Sequence, residues 1–102
     1  MTEITKDDNR VVVQPTGDTI VAATIPELRS RMRDVLEKGV HELVIDLAGV
    51  RMVDSSGLGL LIAAHNSLRK AGGRFAVIHA SADLLELFQS MRMHQHFSVT
   101  GN

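Results

Sequence analysis

The chain has 102 residues, of which 44% are hydrophobic, so it can form one compact core but has little material for a second domain. It carries 11 Lys and Arg against 12 Asp and Glu, and the resulting net charge of −1 provides no broad positive field for nucleic acid or an anionic membrane. Because there is no cysteine, a disulfide framework, a thiolate zinc site and a cysteine nucleophile are excluded.

The N-terminal end and the lack of long apolar runs bear on the location of the protein. Residues 1–10 are polar where a signal peptide would be apolar, and no apolar run approaches the roughly 18 residues of a membrane span. The lack of cysteine also fits a reducing compartment. We therefore expect a cytoplasmic protein in which residues 1–10 are a loose polar segment and residues 11–102 are a single domain.

The first elements predicted along the chain are two short strands and a helix. The β-branched residues 11–13 precede a turn that contains Pro and Gly, and residues 19–22 predict a second strand that pairs with the first in a hairpin. Apolar residues then recur at steps of three and four, which predicts an amphipathic helix from about residue 25. Thr24 stands at its N-cap position, and Gly39 is placed to end it in a left-handed conformation.

The rest of the chain predicts two strand–helix–strand units. Residues 43–47 form a nearly continuous apolar run, which is typical of a strand at the centre of a sheet. A helix is predicted from about Ser55, then a strand at 75–78, a helix capped by Ser81 and an edge strand at 97–99. Because right-handed crossovers make successive strands parallel, we expect an α/β fold with a mixed sheet.

The most informative segment lies where the core strand is followed by the next helix. Asp54, Ser55 and Ser56 place a carboxylate and two hydroxyls at the sheet edge where functional groups of open α/β sheets collect. A serine there has an ordinary structural role as an N-cap, which contributes ~1 kcal/mol. Gly57 and Gly59, however, weaken the helix start by up to ~1 kcal/mol each relative to Ala, and this indicates that a partner approaches the backbone closely.

The run Asp54-Ser55-Ser56-Gly57-Leu58-Gly59, opening a helix after the central strand, resembles the characteristic motif of the STAS domain of bacterial anti-sigma factor antagonists. The resemblance extends over about residues 11–99. It implies a single STAS domain with a mixed sheet of four to five strands and helices packed mainly on one face. In that family the first serine of the motif is the phosphoacceptor, which here is Ser55, and the proteins are regulators without a cofactor rather than enzymes.

The resemblance also implies partners. An unphosphorylated family member binds a serine kinase of the histidine-kinase ATPase fold, which acts as the anti-sigma factor, and displaces the kinase's client. Phosphorylation by the kinase releases the antagonist, and a PP2C-type phosphatase resets it. The partner-binding residues implied in this sequence are Asp54, Ser55, Ser56, Gly57, Leu58, Gly59, Val21 and Thr24.

The chain departs from the family pattern at the turn after its first strands. Many family members have an Asp there on the rim that meets the kinase. In this sequence Val21 takes that place, while Asp18 lies too early in the chain. The sequence therefore leaves open which contacts this turn makes with a kinase.

Each residue of the motif has a predicted role in such a switch. Ser55 accepts the phosphate, which adds a charge of about −1.5 to −2, and Asp54 orients Ser55 and repels the phosphorylated product. Ser56 caps the helix or places the loop. Gly57 and Gly59 permit close docking, and the helical periodicity assigns Leu58 to the core.

Two other functions are weighed against the switch. The strand–serine–helix turn could hold a hydrolase nucleophile, but it lacks the leading Gly of G-x-S-x-G and no histidine is marked as its base, so we expect no enzyme. The alternative that stays open is a STAS-like scaffold that controls chemotaxis, secretion or biofilm formation instead of a sigma factor. In that case Ser55 is only a helix cap.

The C-terminal region offers little further chemistry. His94 and His96 could supply two metal ligands, but a third ligand is unassigned, so we predict no metal site. The helical periodicity places Met91 in the core and leaves Met93 as an exposed contact.

Overall fold

A computed structural model describes residues 2–7 and 10–101, and in these residues three helices cover a five-stranded sheet and a small two-stranded one. None of the helices in this part of the chain is long and apolar enough to cross a membrane. The elements in chain order are β1 (Thr2–Asp7), β2 (Arg10–Pro15), β3 (Thr19–Ile20), α1 (Ile25–Glu37), β4 (Glu42–Asp46), β5 (Met52–Val53), α2 (Ser55–Lys70), β6 (Arg74–Ala80), α3 (Ala82–Ser90), a 3₁₀ turn (Met93–Gln95) and β7 (Ser98–Gly101).

The larger sheet is mixed, as expected. Its strand order is β1-β2-β4-β6-β7, in which β1 runs antiparallel to β2 and the other neighbours are parallel. The apolar run of β4 is explained by its central position, because Leu43, Val44 and Ile45 are at most 1% exposed. The α/β fold and the central strand are therefore confirmed.

The helices pack mainly on one face of this sheet. Val13, Ile45 and Val77 lie side by side across β2, β4 and β6, so their side chains point to the same face. These residues belong to one core together with buried residues from all three helices, which include Leu28, Leu61 and Phe88. The predicted arrangement of the helices is confirmed.

The predicted hairpin between the first two strands is wrong. β3 does not pair with β2; it pairs in parallel with β5, and β2 lies between β1 and β4. The physical reason is a set of contacts made by residues far away in the sequence. The carbonyl of Asp18 accepts hydrogen bonds from the N–H groups of Arg51 at 2.7 Å and Met52 at 3.3 Å, which draws Thr19–Ile20 alongside β5.

The expectation of a loose N-terminal segment is wrong for residues 2–7, which form β1. The pairing with β2 runs from Thr2 opposite Pro15 to Asp7 opposite Arg10. The sequence gives little sign of this strand, because Ile4 is the only large apolar residue in it. Residues 1, 8 and 9 of the predicted segment lie outside the described residues, and the domain limits of 1–10 and 11–102 stay a prediction.

Two helix ends give one confirmation and one correction. Gly39 follows α1 with a φ of +76°, the left-handed conformation predicted for it. The roles assigned to two methionines are reversed, because Met91 is 50% exposed and Met93 is 2% exposed. Helix α3 ends before Met91, and Arg92, with a φ of +59°, turns the chain so that Met93 enters the core.

Candidate functional site

The candidate site lies where β3 and β5 end and the helices α1 and α2 begin. Because β3 and β5 are parallel, their last residues, Ile20 and Val53, are neighbours. The N–H of Asp54 donates to the carbonyl of Ile20 at 3.1 Å and extends this pairing by one residue. The small sheet thus brings the turn at residues 21–24 next to the motif at residues 54–59.

Asp54 caps α2 and joins it to the turn before α1. Its Oδ1 accepts a hydrogen bond from the N–H of Gly57 at 3.0 Å, and its Oδ2 accepts one from the N–H of Ala22 at 3.2 Å. Its backbone is extended, as is usual for an N-cap residue. The prediction that Ser55 or Ser56 caps the helix is therefore wrong, since Asp54 occupies that position.

The two serines are the first two residues of α2, and both are exposed. At these positions the backbone N–H groups have no carbonyl partner within the helix, and their partial positive charge favours an anion. Asp54 positions Ser55 through the helix start, because the described hydrogen bonds of its carboxylate go to backbone N–H groups. Both serines therefore present surface to the solvent at the first turn of α2.

The two glycines of the motif serve different purposes. A Cβ atom on Gly57 would lie 2.6 Å from Cγ1 of Val53 and 2.8 Å from the carbonyl oxygen of Ile20. Gly57 is buried and allows α2 to pack on the ends of β3 and β5, so the idea that it permits a partner to dock is wrong. Gly59 is exposed and a Cβ there would meet nothing within 4 Å. Leu58, at 7% exposed, belongs to the core as its periodicity indicated.

Thr24 occupies the predicted N-cap position of α1, but its hydroxyl closes the preceding turn instead of bonding an N–H group of the helix. Its hydroxyl donates to the carbonyl of Val21 at 3.0 Å and accepts from the N–H of Val21 at 3.1 Å. The predicted position of Thr24 is therefore confirmed, but its backbone is in the helical region and its side chain makes no capping hydrogen bond. Thr24 is exposed and Val21 is partly buried, and both flank Ala22, the residue bound to Asp54.

Asp18 lies outside the site. Its carboxylate pairs with Arg51 at 2.6 Å, at the amino ends of β3 and β5, whereas the motif is at their carboxyl ends. The hydrogen bond and the charge of the Arg51 guanidinium lower the pKa of Asp18. The acidic residue near this turn is thus committed to a structural ion pair, and Val21 brings no charge to the site.

Sequence reasoning missed two features at this edge of the molecule. The first is Ala22, which contacts Asp54 through its backbone and so leaves no signal in its side chain. The second is the pair of Asp46 and His79, 2.9 Å apart at the ends of β4 and β6. Within the described residues no three His, Asp or Glu side chains form a group that could hold a metal ion.

Comparisons with known proteins bear on this geometry. The profile of the STAS domain matches residues 1–101. The chain belongs to the STAS domain family. An anti-sigma-B factor antagonist from Staphylococcus epidermidis is 29% identical to it over 85 residues, which cover 83% of this chain and 77% of that protein.

Two solved structures share the fold of this STAS domain. An anti-sigma factor antagonist from Mycobacterium paratuberculosis is 26% identical, with a TM-score of 0.87 over 100% of this chain and 86% of that chain. The Bacillus cell fate determinant SpoIIAA in its phosphorylated form is 16% identical, with a TM-score of 0.78 over 100% of this chain and 92% of that chain. The resemblance seen in the motif at residues 54–59 is therefore confirmed at the level of family and fold.

Proposed function

We propose that this STAS domain is an anti-sigma factor antagonist that changes partners with the phosphorylation state of Ser55. The unphosphorylated form binds a serine kinase of the histidine-kinase ATPase fold, which is the anti-sigma factor, and frees its client. Phosphorylation of Ser55 releases the domain, and a PP2C-type phosphatase resets it. The domain acts in the cytoplasm as a binding protein, without enzymatic activity or a cofactor.

The observation on which this proposal rests is the position of Ser55. Its side chain is exposed at the first residue of α2, directly after Asp54. The relatives named above are antagonists of anti-sigma factors, and SpoIIAA, which shares the fold, is known in a phosphorylated form. These similarities support the same role and the same kind of modification here.

The charge of a phosphate explains how such a modification can release a partner. It adds about −1.5 to −2 charges to a surface that already holds the carboxylate of Asp54. The free N–H groups at the start of α2 can accommodate the phosphate in the isolated domain, so no change of fold is needed. Burying that charge against a partner without a matching cation costs several kcal/mol, and ~1.4 kcal/mol is already tenfold in affinity.

The proposed contact surface follows from exposure. Ser55, Ser56 and Gly59 on α2, with Thr24 and the partly buried Val21 on the turn, can reach a partner. Asp54 holds these two segments together and supplies a negative charge. Gly57 and Leu58 are buried and shape this surface from beneath.

A second candidate function is a STAS interaction module whose output is not a sigma factor, such as chemotaxis, secretion or biofilm formation. The uncharged Val21 favours it, because many family members place an Asp there against the kinase. The version in which Ser55 is merely a helix cap has lost its basis, since the cap is Asp54. The two candidates therefore differ in the identity of the partner and in whether phosphorylation controls it.

The experiment that tests the proposal is a pull-down from the source cells with three baits. They are the wild type, Ser55→Asp and the matched control Ser98→Asp, which places the same charge on an exposed serine of β7 at the far edge of the sheet. A kinase-fold protein held by the wild type and by Ser98→Asp, but lost by Ser55→Asp, supports the switch. Recovery of the same proteins by all three baits contradicts it and favours the interaction module.

A further inference from the structure

A second candidate binding site lies at the far end of α1. A cavity of about 230 Å³ opens between the last turn of this helix and the β1–β2 edge of the sheet. Its floor is apolar, because Val11 and Val35 are 4% and 7% exposed, and Ile4 and Val40 form its sides. Ile4 is 38% exposed, so the cavity presents hydrocarbon surface to the solvent.

The rim of this cavity is positively charged. Of the described residues that line it, Lys6, Arg31 and Lys38 are cationic and Asp34 carries a carboxylate. Among the side chains that the structure describes, neither Lys6 nor Lys38 has an ion-pair partner. Two exposed ammonium groups beside an apolar floor form a surface that complements an anion with a hydrocarbon tail.

The carboxyl end of α1 could in principle repel such an anion, because the last carbonyls of a helix carry partial negative charge. Here two of them are already hydrogen-bonded. The carbonyl of Val35 accepts from the N–H of Lys38 at 3.2 Å, and the carbonyl of Leu36 accepts from the N–H of Gly39 at 3.1 Å. The positively charged side chain of Lys38, the C-cap residue, lies at the same helix end and offsets the partial negative charge of the remaining carbonyls.

We propose that this cavity binds a small aliphatic carboxylate, with its hydrocarbon chain on Val11 and Val35 and its carboxylate at Lys6 and Lys38. The volume lies below the roughly 300 Å³ at which pockets for drug-sized ligands begin, so it suits a short chain and not a nucleotide. Inorganic phosphate alone would leave the apolar floor uncovered. The proposal goes beyond the partner switch and does not depend on it.

The cavity is also spatially separate from the serine motif. Helix α1 has 13 residues and is about 20 Å long; its first turn adjoins the motif, whereas the cavity is lined by residues of its second half. None of the residues around the cavity belongs to the motif or to the turn at residues 21–24. Failure of the carboxylate site would leave the switch at Ser55 untouched, and the reverse also holds.

The first test is a titration of ¹⁵N-labelled protein with butyrate, hexanoate and octanoate at neutral pH, followed by amide chemical shifts. We expect saturable shifts confined to the residues around the cavity, with an affinity that rises up to roughly fourfold for each added methylene until the cavity is filled. Sodium chloride and 1-hexanol are the controls for ionic strength and for the uncharged tail. Absence of saturation, or an equal response to 1-hexanol, overturns the proposal.

A pair of charge reversals makes the test specific. Lys6→Glu combined with Lys38→Glu should weaken hexanoate binding by roughly tenfold or more, while Lys70→Glu, an exposed lysine at the end of α2, should leave it unchanged. All three lysines are exposed, so far-UV circular dichroism should show intact folds. Unchanged binding by the double variant overturns the proposal. So does size-exclusion chromatography if it shows that a second copy of the chain covers the cavity.

Discussion

Asp54 binds Ala22 across 32 positions of sequence, and this hydrogen bond joins the two halves of the site. The same carboxylate accepts a hydrogen bond from the N–H of Gly57, so a single side chain caps α2 and fixes the turn that leads into α1. The position of Ser55 is therefore determined by contacts on both sides of Asp54. The negative charge next to the proposed phosphoacceptor is a consequence of this structural role.

Replacing Asp54 should destabilise the domain in a graded way. Asp54→Ala removes the cap and the bond to Ala22, and we expect a loss of about 1–3 kcal/mol in the free energy of unfolding. Asp54→Asn keeps one acceptor oxygen for the helix cap and should lose about 1 kcal/mol or less. Urea unfolding followed by circular dichroism measures both values. Equal losses in the two variants would show that Asp54 does not act through these acceptor contacts.

The two glycines should respond to alanine with opposite signs. Gly57→Ala gains helix propensity but forces a Cβ to within 2.6 Å of Val53, so we expect a net loss of about 1–3 kcal/mol. Gly59→Ala is the matched control, because its Cβ meets nothing and it should gain up to about 1 kcal/mol. Thermal unfolding of both variants measures these changes in stability. A stabilised Gly57→Ala would contradict the packing described at the start of α2.

Once a kinase partner is in hand, Ser55 can be tested by affinity and by labelling. Ser55→Ala should bind the kinase as the wild type does but accept no phosphate, and Ser55→Asp should bind at least roughly tenfold more weakly because of its charge. Ser56→Ala is the control for a neighbouring hydroxyl and should still be labelled. Isothermal calorimetry and phosphate incorporation give the two readouts. Loss of labelling in Ser56→Ala alone would mean that Ser56 is the acceptor.

The elements with a long apolar pattern were predictable from the sequence, and the small ones were not. The start of α2 at Ser55 and the central position of β4 follow from periodicity and from a continuous apolar run. Strands β3 and β5 have two residues each, too few for any pattern to develop. Their pairing depends on backbone groups of Asp18 and Arg51 that approach each other only in the folded chain.

In the candidate site, too, the residue types could be read from the sequence, whereas the hydrogen bonds to backbone groups could not. The motif at residues 54–59 was recognisable from its residue types and predicted Ser55 as the phosphoacceptor. The sequence did not show which of the three polar residues after the strand, Asp54, Ser55 or Ser56, caps α2. The choice of Asp54 was decided by reach, since its carboxylate has two oxygens and can bind both Gly57 and Ala22. A serine at the same position has a single side-chain oxygen that lies one bond closer to the backbone. It could not reach the N–H groups of both Gly57 and Ala22, which the two carboxylate oxygens of Asp54 bind separately.

A last prediction concerns the pH dependence of stability near His65. This partly buried histidine lies 5.4 Å from the ring of Phe97 and 6.4 Å from that of His96, measured between ring centres. Desolvation, followed by the charges of Arg69 and His96, lowers the pKa of His65 below its ordinary value of 6.5. The neutral imidazole is therefore the form that the folded state favours.

The sign of the effect follows from proton uptake. As pH falls through 6.5, the unfolded state binds a proton at this position before the folded state does, so the stability associated with neutral His65 is lost on acidification. His65→Gln should show a flatter loss of stability than the wild type over this range. An NMR titration of the imidazole should place the midpoint of His65 below 6.5 and move it upward in Arg69→Gln, but not in the adjacent control Lys70→Gln. A midpoint at or above 6.5 would contradict the assignment of a desolvated, cation-flanked ring.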